Sequence, residues 1–160
     1  MRRWKRESGV KKLLVVYHSQ SGTCARLARA AAQGAADTEG VVVEVRRACD
    51  ASTETVADAA GLLLVAAENS GTLSGEAKAF LDRIFYPAID RALVLPYALM
   101  MSAGNDGRGA VRQAERIFSG IPFTSACEPM IARGEFTDEH KAQAAELGAG
   151  FAAGLEMGIF

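Results

Sequence analysis

A chain of 160 residues, 49% hydrophobic and with a formal net charge of −1, can bury one sizeable core and reads as a single globular domain. That balance excludes the strongly basic surface of a nucleic-acid binder and an extended acidic surface alike. No run approaches the roughly 18 apolar residues of a membrane span, and the three cysteines (Cys24, Cys49, Cys127) have no C-x-x-C pair and no ligand spacing to His18 or His140, so neither a disulfide framework nor a metal site is supported and the cytoplasm is the expected setting.

Residues 1–11 hold Arg2, Arg3, Lys5, Arg6 and Lys11 and read as a basic arm, with the domain expected over 12–160. The apolar run behind the arm is too short for the core of a signal peptide. Residues 13–17, Leu-Leu-Val-Val-Tyr, are apolar without interruption, which predicts a parallel strand buried on both faces. The chain then passes through Ser19, Gln20, Ser21, Gly22 and Thr23 into an alanine-rich helical segment with Leu27 inside and Arg26 and Arg29 outside. A strand, a hydroxyl-bearing turn and a helix N-terminus make an anion site, because the first helical N–H groups lack partners and the helix dipole favours negative charge there. No lysine stands where a P-loop needs one, and one glycine is no G-x-G-x-x-G fingerprint, which leaves a phosphate monoester as the ligand. Taken alone, the turn reads equally well as a phosphate site or as Ser19 or Ser21 capping a helix. Cys24 lies where a helix N-terminus lowers a thiol pKa, yet it also reads as a small buried hydrophobe.

Farther along, residues 41–45 predict a second strand, 51–60 a weak short helix, and 61–67 a third strand that ends in a polar loop over 68–75. Ser74 is the natural cap for a helix whose stripe is Ala77, Phe80, Leu81, Ile84 and Phe85, with Lys78 and Asp82 paired outside. Tyr86 and Pro87 mark where it bends or stops. Residues 97–103 form the fourth strand and lead into the glycine-rich loop 104–109, followed by a helix with Ala110, Val111, Ala114, Ile117 and Phe118 inward. A fifth strand lies within 123–132, limited by Pro129. Thr137 or Asp138 caps the last helix, and the apolar tail 157–160 points to a subunit contact, as in a homo-oligomer, or to docking on the body. Strands alternating with helices predict an α/β, doubly wound, five-stranded parallel sheet of order 2-1-3-4-5, with ligand binding beyond the carboxyl ends of strands one and three. The loops 18–23, 68–75 and 104–109 all leave that edge and all contain glycine.

The residues 17–23, Tyr-His-Ser-Gln-Ser-Gly-Thr, the segment 68–83 with its S-G-x-x-K-x-F-L-D-R pattern, and 103–110 together resemble the flavodoxin-fold superfamily, and more narrowly its small NAD(P)H-dependent flavin or quinone oxidoreductases. The resemblance spans nearly the whole chain beyond the arm and implies a flavodoxin-like three-layer sandwich that binds FMN. It implies that Ser19, Gln20, Ser21, Gly22, Thr23 and Cys24 hold the phosphate, and that Glu68, Asn69, Ser70, Gly71, Thr72, Gly104, Asn105 and Asp106 flank the isoalloxazine. Families of this fold often have Thr at the position of Cys24, so one hydroxyl is missing while the backbone amides remain. Glu68 also reads as a solvated strand-end carboxylate, and His18 as a positional residue rather than a proton donor. Loops 68–75 and 104–109 lack aromatic residues, which leaves a ring face open to a nicotinamide or a quinone. The implied activity is transfer of reducing equivalents from NAD(P)H through FMN to a small-molecule acceptor such as a quinone. The alternatives are a one-electron flavodoxin-type carrier and a binding module that has lost FMN.

Overall fold

Alternation of side chains along buried strands decides this architecture, because each strand must satisfy two apolar layers at once. The computed structural model describes residues 9–160; residues 1–8, which hold most of the basic arm, lie outside the described residues. Strand β1 (Lys11–Tyr17) lies inside the sheet, second from one edge, with Leu13, Leu14, Val15 and Val16 fully buried. It pairs in parallel with β2 (Val41–Arg47) on one side and with β3 (Gly61–Asn69) on the other. Leu14, Val16, Leu62 and Leu64 face one core cluster, whereas Leu13, Val15, Leu63 and Val65 face a second. Odd and even positions thus feed opposite layers.

The second layer is closed by α1 (Thr23–Ala36) and α5 (Asp138–Met157). Their backbones come together at Gly34 and Gly148: a Cβ on Gly34 would collide with the Ala145 carbonyl, and one on Gly148 with the Ala31 carbonyl. The opposite layer holds α2 (Thr53–Ala57), α3 (Gly75–Asp90) and α4 (Arg108–Phe118). Tyr97 and Phe118 stack there at 3.9 Å between ring centroids.

Beyond β3 the sheet continues through a short β4 (Thr72–Leu73), which pairs antiparallel with β3, and through β5 (Leu95–Ala103), which pairs parallel with β3. The fifth position is filled by two pieces, β6 (Phe123–Ser125) and β7 (Met130–Arg133), both parallel to β5. Between the pairings Tyr97 with Ser125 and Met100 with Met130, the outer strand advances five residues while β5 advances three. The surplus bulges out around Pro129, which has no N–H to give to a ladder. Counting β6 and β7 as one interrupted strand, the order is the expected 2-1-3-4-5.

Several local boundaries and caps differ from expectation. Strand β2 runs on to Arg47, and the expected helix over 51–60 contracts to α2, started by a Ser52–Thr55 capping box. Helix α3 does not stop at Pro87 but continues to Asp90, because Ala88 on the following turn is fully buried beside Ile84 and tertiary packing outweighs one lost backbone bond. Ser74 occupies the N-cap position of α3, yet its hydroxyl makes no capping bond; it is buried and without a partner among the described residues. The polar loop after β3 is a hairpin, described below. At the C-terminus Phe160 folds back onto Phe151, 5.6 Å between centroids, above the bare face of Gly154.

Candidate functional site

Parallel pairing of β1, β3 and β5 carries the loops that follow them to one edge of the sheet. The crossovers from β1 and from β3 diverge there, since β2 lies on one side of β1 and β5 on the far side of β3. His18 remains tied to the sheet through its N–H to the Val65 carbonyl, 3.1 Å. The chain then turns: the Gly22 N–H donates to the Ser19 hydroxyl at 3.0 Å, and Gly22 takes φ 101°, open to glycine and strained for other residues. Helix α1 starts immediately after it.

Its first turn is prepared for an anion. The N–H groups of Thr23, Cys24 and Ala25 precede the first intrahelical bond, which runs from Arg26 to the Gly22 carbonyl. No side chain caps this end, and no acidic residue stands in the first turn. Ser19 accepts from Gly22 and keeps its own O–H proton to donate, while Gln20 and Ser21 are exposed beside it. Cys24 is 2% exposed; burial pushes its thiol up to about 12, opposed by a bond with the Ser102 backbone. The lowering that a helix N-terminus gives a thiol is overridden by desolvation. Cys24 therefore offers the site a backbone N–H, and its side chain belongs to the core. Arg26 lies over the Phe136 ring at 5.6 Å.

The stretch expected as an irregular loop after β3 is a two-residue hairpin, in which Glu68 faces Leu73 and Asn69 faces Thr72. Ser70 and Gly71 form its turn with φ 51° and 79°, both positive as a type I′ turn requires. Ser70, Gly71 and Thr72 are exposed at the tip. Asn69 donates through Nδ2 to the side-chain Oε1 of Gln20 at 3.1 Å, which joins the hairpin to the turn before α1. Glu68 does not project into solvent; its Oε2 accepts from the Ala110 N–H at 3.2 Å, at the N-terminus of α4. Gln113, which nothing in the sequence singles out, and Gly109, the last residue of loop 104–109, complete this junction: the Leu73 N–H donates to Gln113 Oε1 at 2.7 Å, and a Cβ on Gly109 would stand 2.6 Å from the Gly71 carbonyl oxygen. Their role depends on partners about 40 residues away along the chain, and no local pattern marks it.

In the third loop Gly104, Asn105 and Asp106 are exposed, and Asp106 Oδ1 accepts from the Arg108 N–H at 2.9 Å. No atom lies within 4 Å of the Cβ positions of Gly22, Gly71 or Gly104, so each turn presents an open backbone face. An acid-free helix start with hydroxyl donors, set beside two such faces, fits the phosphate and the flat ring of FMN. His140 is engaged elsewhere, in a reciprocal cap with Thr137 at the start of α5. Among the described residues no group of three or more His, Cys, Asp or Glu could hold a metal, and no helix is long and apolar enough to cross a membrane.

The sequence profile of the flavodoxin family matches residues 15–148. A flavodoxin from Aquifex aeolicus (strain VF5) is 33% identical over 73 residues, which cover 46% of this chain and 40% of that protein, so the chain spans about two fifths of the length of this curated relative. Among solved structures, the Flv1 flavodiiron core from Synechocystis sp. PCC6803 superposes with a TM-score of 0.81 at 20% identity, over 95% of this chain and 38% of that one. Oxidised flavodoxin 1 from Bacillus cereus superposes with a TM-score of 0.75 at 19% identity, over 89% of this chain and 97% of that one. At such identities the structural likeness speaks for the fold, and the profile match over most of the sequence speaks for descent: the chain belongs to the flavodoxin family.

Proposed function

We propose that this protein is an FMN-binding oxidoreductase that passes reducing equivalents from NAD(P)H to a quinone or another small acceptor. The observation that carries the FMN reading is the uncapped, acid-free start of α1 with Ser19, Ser21 and Thr23 around it, framed by the hairpin and by loop 104–107. The names of its relatives, flavodoxin and flavodiiron core, agree with it. In this reading the N–H groups of Thr23, Cys24 and Ala25 bind the phosphate, with the hydroxyls of Ser19, Ser21 and Thr23 as further donors. Asn69, Ser70, Gly71 and Thr72 in the hairpin and Gly104, Asn105 and Asp106 in the third loop would flank the ring. Bound FMN would supply the electron-transfer chemistry, and the protein orients it and limits its exposure to water. Because neither loop carries an aromatic side chain, a nicotinamide or quinone can stack on the ring directly. Free Cys49 and Cys127, both exposed, suit a reducing compartment, which supports a cytoplasmic setting.

A second reading, an electron carrier between protein partners, is favoured by the fit to Bacillus cereus flavodoxin over nearly that whole chain. Visible spectra separate the two. Purified protein is titrated with FMN and then, without oxygen, with NADPH or NADH. Bleaching of bound flavin by the nicotinamide and its return on adding a quinone supports the oxidoreductase; bound flavin inert to both supports the carrier. Absence of binding at any FMN concentration overturns both and leaves a module without cofactor.

A further inference from the structure

We infer that Glu68 is a positioning residue for the cofactor: its carboxylate, seated on the N-terminus of α4, holds the turn at Ser70 and Gly71 where that turn meets bound FMN. This rests on the FMN reading above. The hairpin that carries the turn has only two facing residue pairs, too few to hold itself in water, and its tip is exposed. Beyond β3, which its outgoing leg continues and to which the Ser74 N–H bonds back at the Ala67 carbonyl, the tip needs contacts from outside the sheet.

Helix α4 supplies that hold. The helix starts at Arg108 after Gly107, which has no side chain to cap with, and its first turn contains no acid of its own. Asp106 satisfies the Arg108 N–H, and Glu68, reaching across from β3, satisfies that of Ala110. A carboxylate placed there makes a charge-assisted bond and meets the positive end of the helix dipole. Gly109 lets the Gly71 carbonyl rest on the same helical turn, where any side chain would push it away. One helical turn farther, Gln113 holds the returning leg at Leu73. Outgoing and returning legs are thus each bonded to α4, the turn rests against Gly109, and Asn69 fixes the outgoing leg to Gln20 in the turn before α1. Glu68 is spent on this hold and acts on the cofactor through the turn.

The test uses the full chain and the variants Glu68→Ala, Glu68→Gln and Gln113→Ala, with amide hydrogen exchange read without flavin, then FMN affinity by fluorescence quenching and the flavin midpoint potential. Glu68→Ala is expected to speed exchange at Ala110 and Leu73, to weaken FMN binding about tenfold and to shift the potential, since one charge-assisted bond is lost. Glu68→Gln, whose amide oxygen still accepts but without the charge, is expected to recover part of the exchange protection and of the affinity lost in Glu68→Ala. Gln113→Ala moves the same quantities in the same direction by less, and keeps the inference testable should Glu68→Ala fail to fold. Wild-type affinity and potential in Glu68→Ala would overturn it, as would Glu68→Gln behaving like Glu68→Ala, which would assign the effect to charge on the ring. If the wild type binds no FMN, the cofactor reading fails and this role with it, whereas unchanged exchange in Glu68→Ala sinks the hold alone.

Discussion

At the start of α1 two demands on Thr23 have opposite signs, and a single substitution separates them. As the first helical residue it sits where an acid stabilises the helix through its dipole, by about 0.3–1 kcal/mol at an exposed site. As a member of the proposed phosphate cradle it stands where an acid would repel the ligand. Thr23→Asp should therefore leave thermal stability equal or slightly raised while weakening FMN binding at least tenfold, read by melting curves and fluorescence titration; unimpaired binding would reduce the turn to an ordinary helix cap. Cys24, next to it, gives a second test. Its thiol is held at about 12 against an ordinary 9.0, so the folded state keeps the proton that the unfolded chain releases. The contribution is fully present below about pH 9 and is lost as pH rises toward about 12, because over that window the unfolded state binds fewer protons. Denaturation midpoints between pH 8 and 11 should fall more steeply for the wild type than for Cys24→Ala. In native protein at pH 8 iodoacetamide should reach Cys49 and Cys127 and spare Cys24. Cys127 should be the slower of the two, since partial burial and the Glu128 carboxylate raise its pKa.

Among the elements, the α1–α5 contact depends most on residues having no side chain. Gly148→Ala forces a methyl into the Ala31 carbonyl and should cost about 2–3 kcal/mol in urea denaturation, as overpacking against backbone does. Gly150→Ala, two residues on in the same helix with open space at its Cβ, should instead stabilise by about 0.5–1 kcal/mol through helix propensity. Equal effects of the two would mean that the helices separate easily. These elements could be read from the sequence because continuous apolar runs such as 13–17 and 61–67 permit only a doubly buried strand, and stripes such as Ala77, Phe80, Leu81 and Ile84 only a half-buried helix. The phosphate turn could be proposed for a related reason: its donors are consecutive residues. The hairpin could not, since Ser70 is an unusual residue for positive φ and the pairing has only two rungs. Nor could the role of Glu68, whose partner is a backbone N–H 42 residues away, or the passage of α3 through Pro87, which tertiary burial of Ala88 decides.

For the molecule as a whole, both faces of the sheet are closed by helices, and the open backbone faces lie at one edge, where β1 and β3 send their connections apart. A ligand held there touches segments that leave three different strands, so its binding energy adds to the cohesion of the entire fold. Mass action then sets the size of the effect: at one hundred times the dissociation constant a ligand adds about 2.7 kcal/mol, which for a domain of this length raises the melting temperature by about 5–10 °C. If the start of α1 is the anchor, FMN should produce that shift, riboflavin at the same concentration a much smaller one, and inorganic phosphate should compete with FMN. Thr23→Asp should abolish the difference between FMN and riboflavin. Equal stabilisation by the two flavins in the wild type would place the binding energy in the ring loops alone, and the helix N-terminus would then have no part in holding the cofactor.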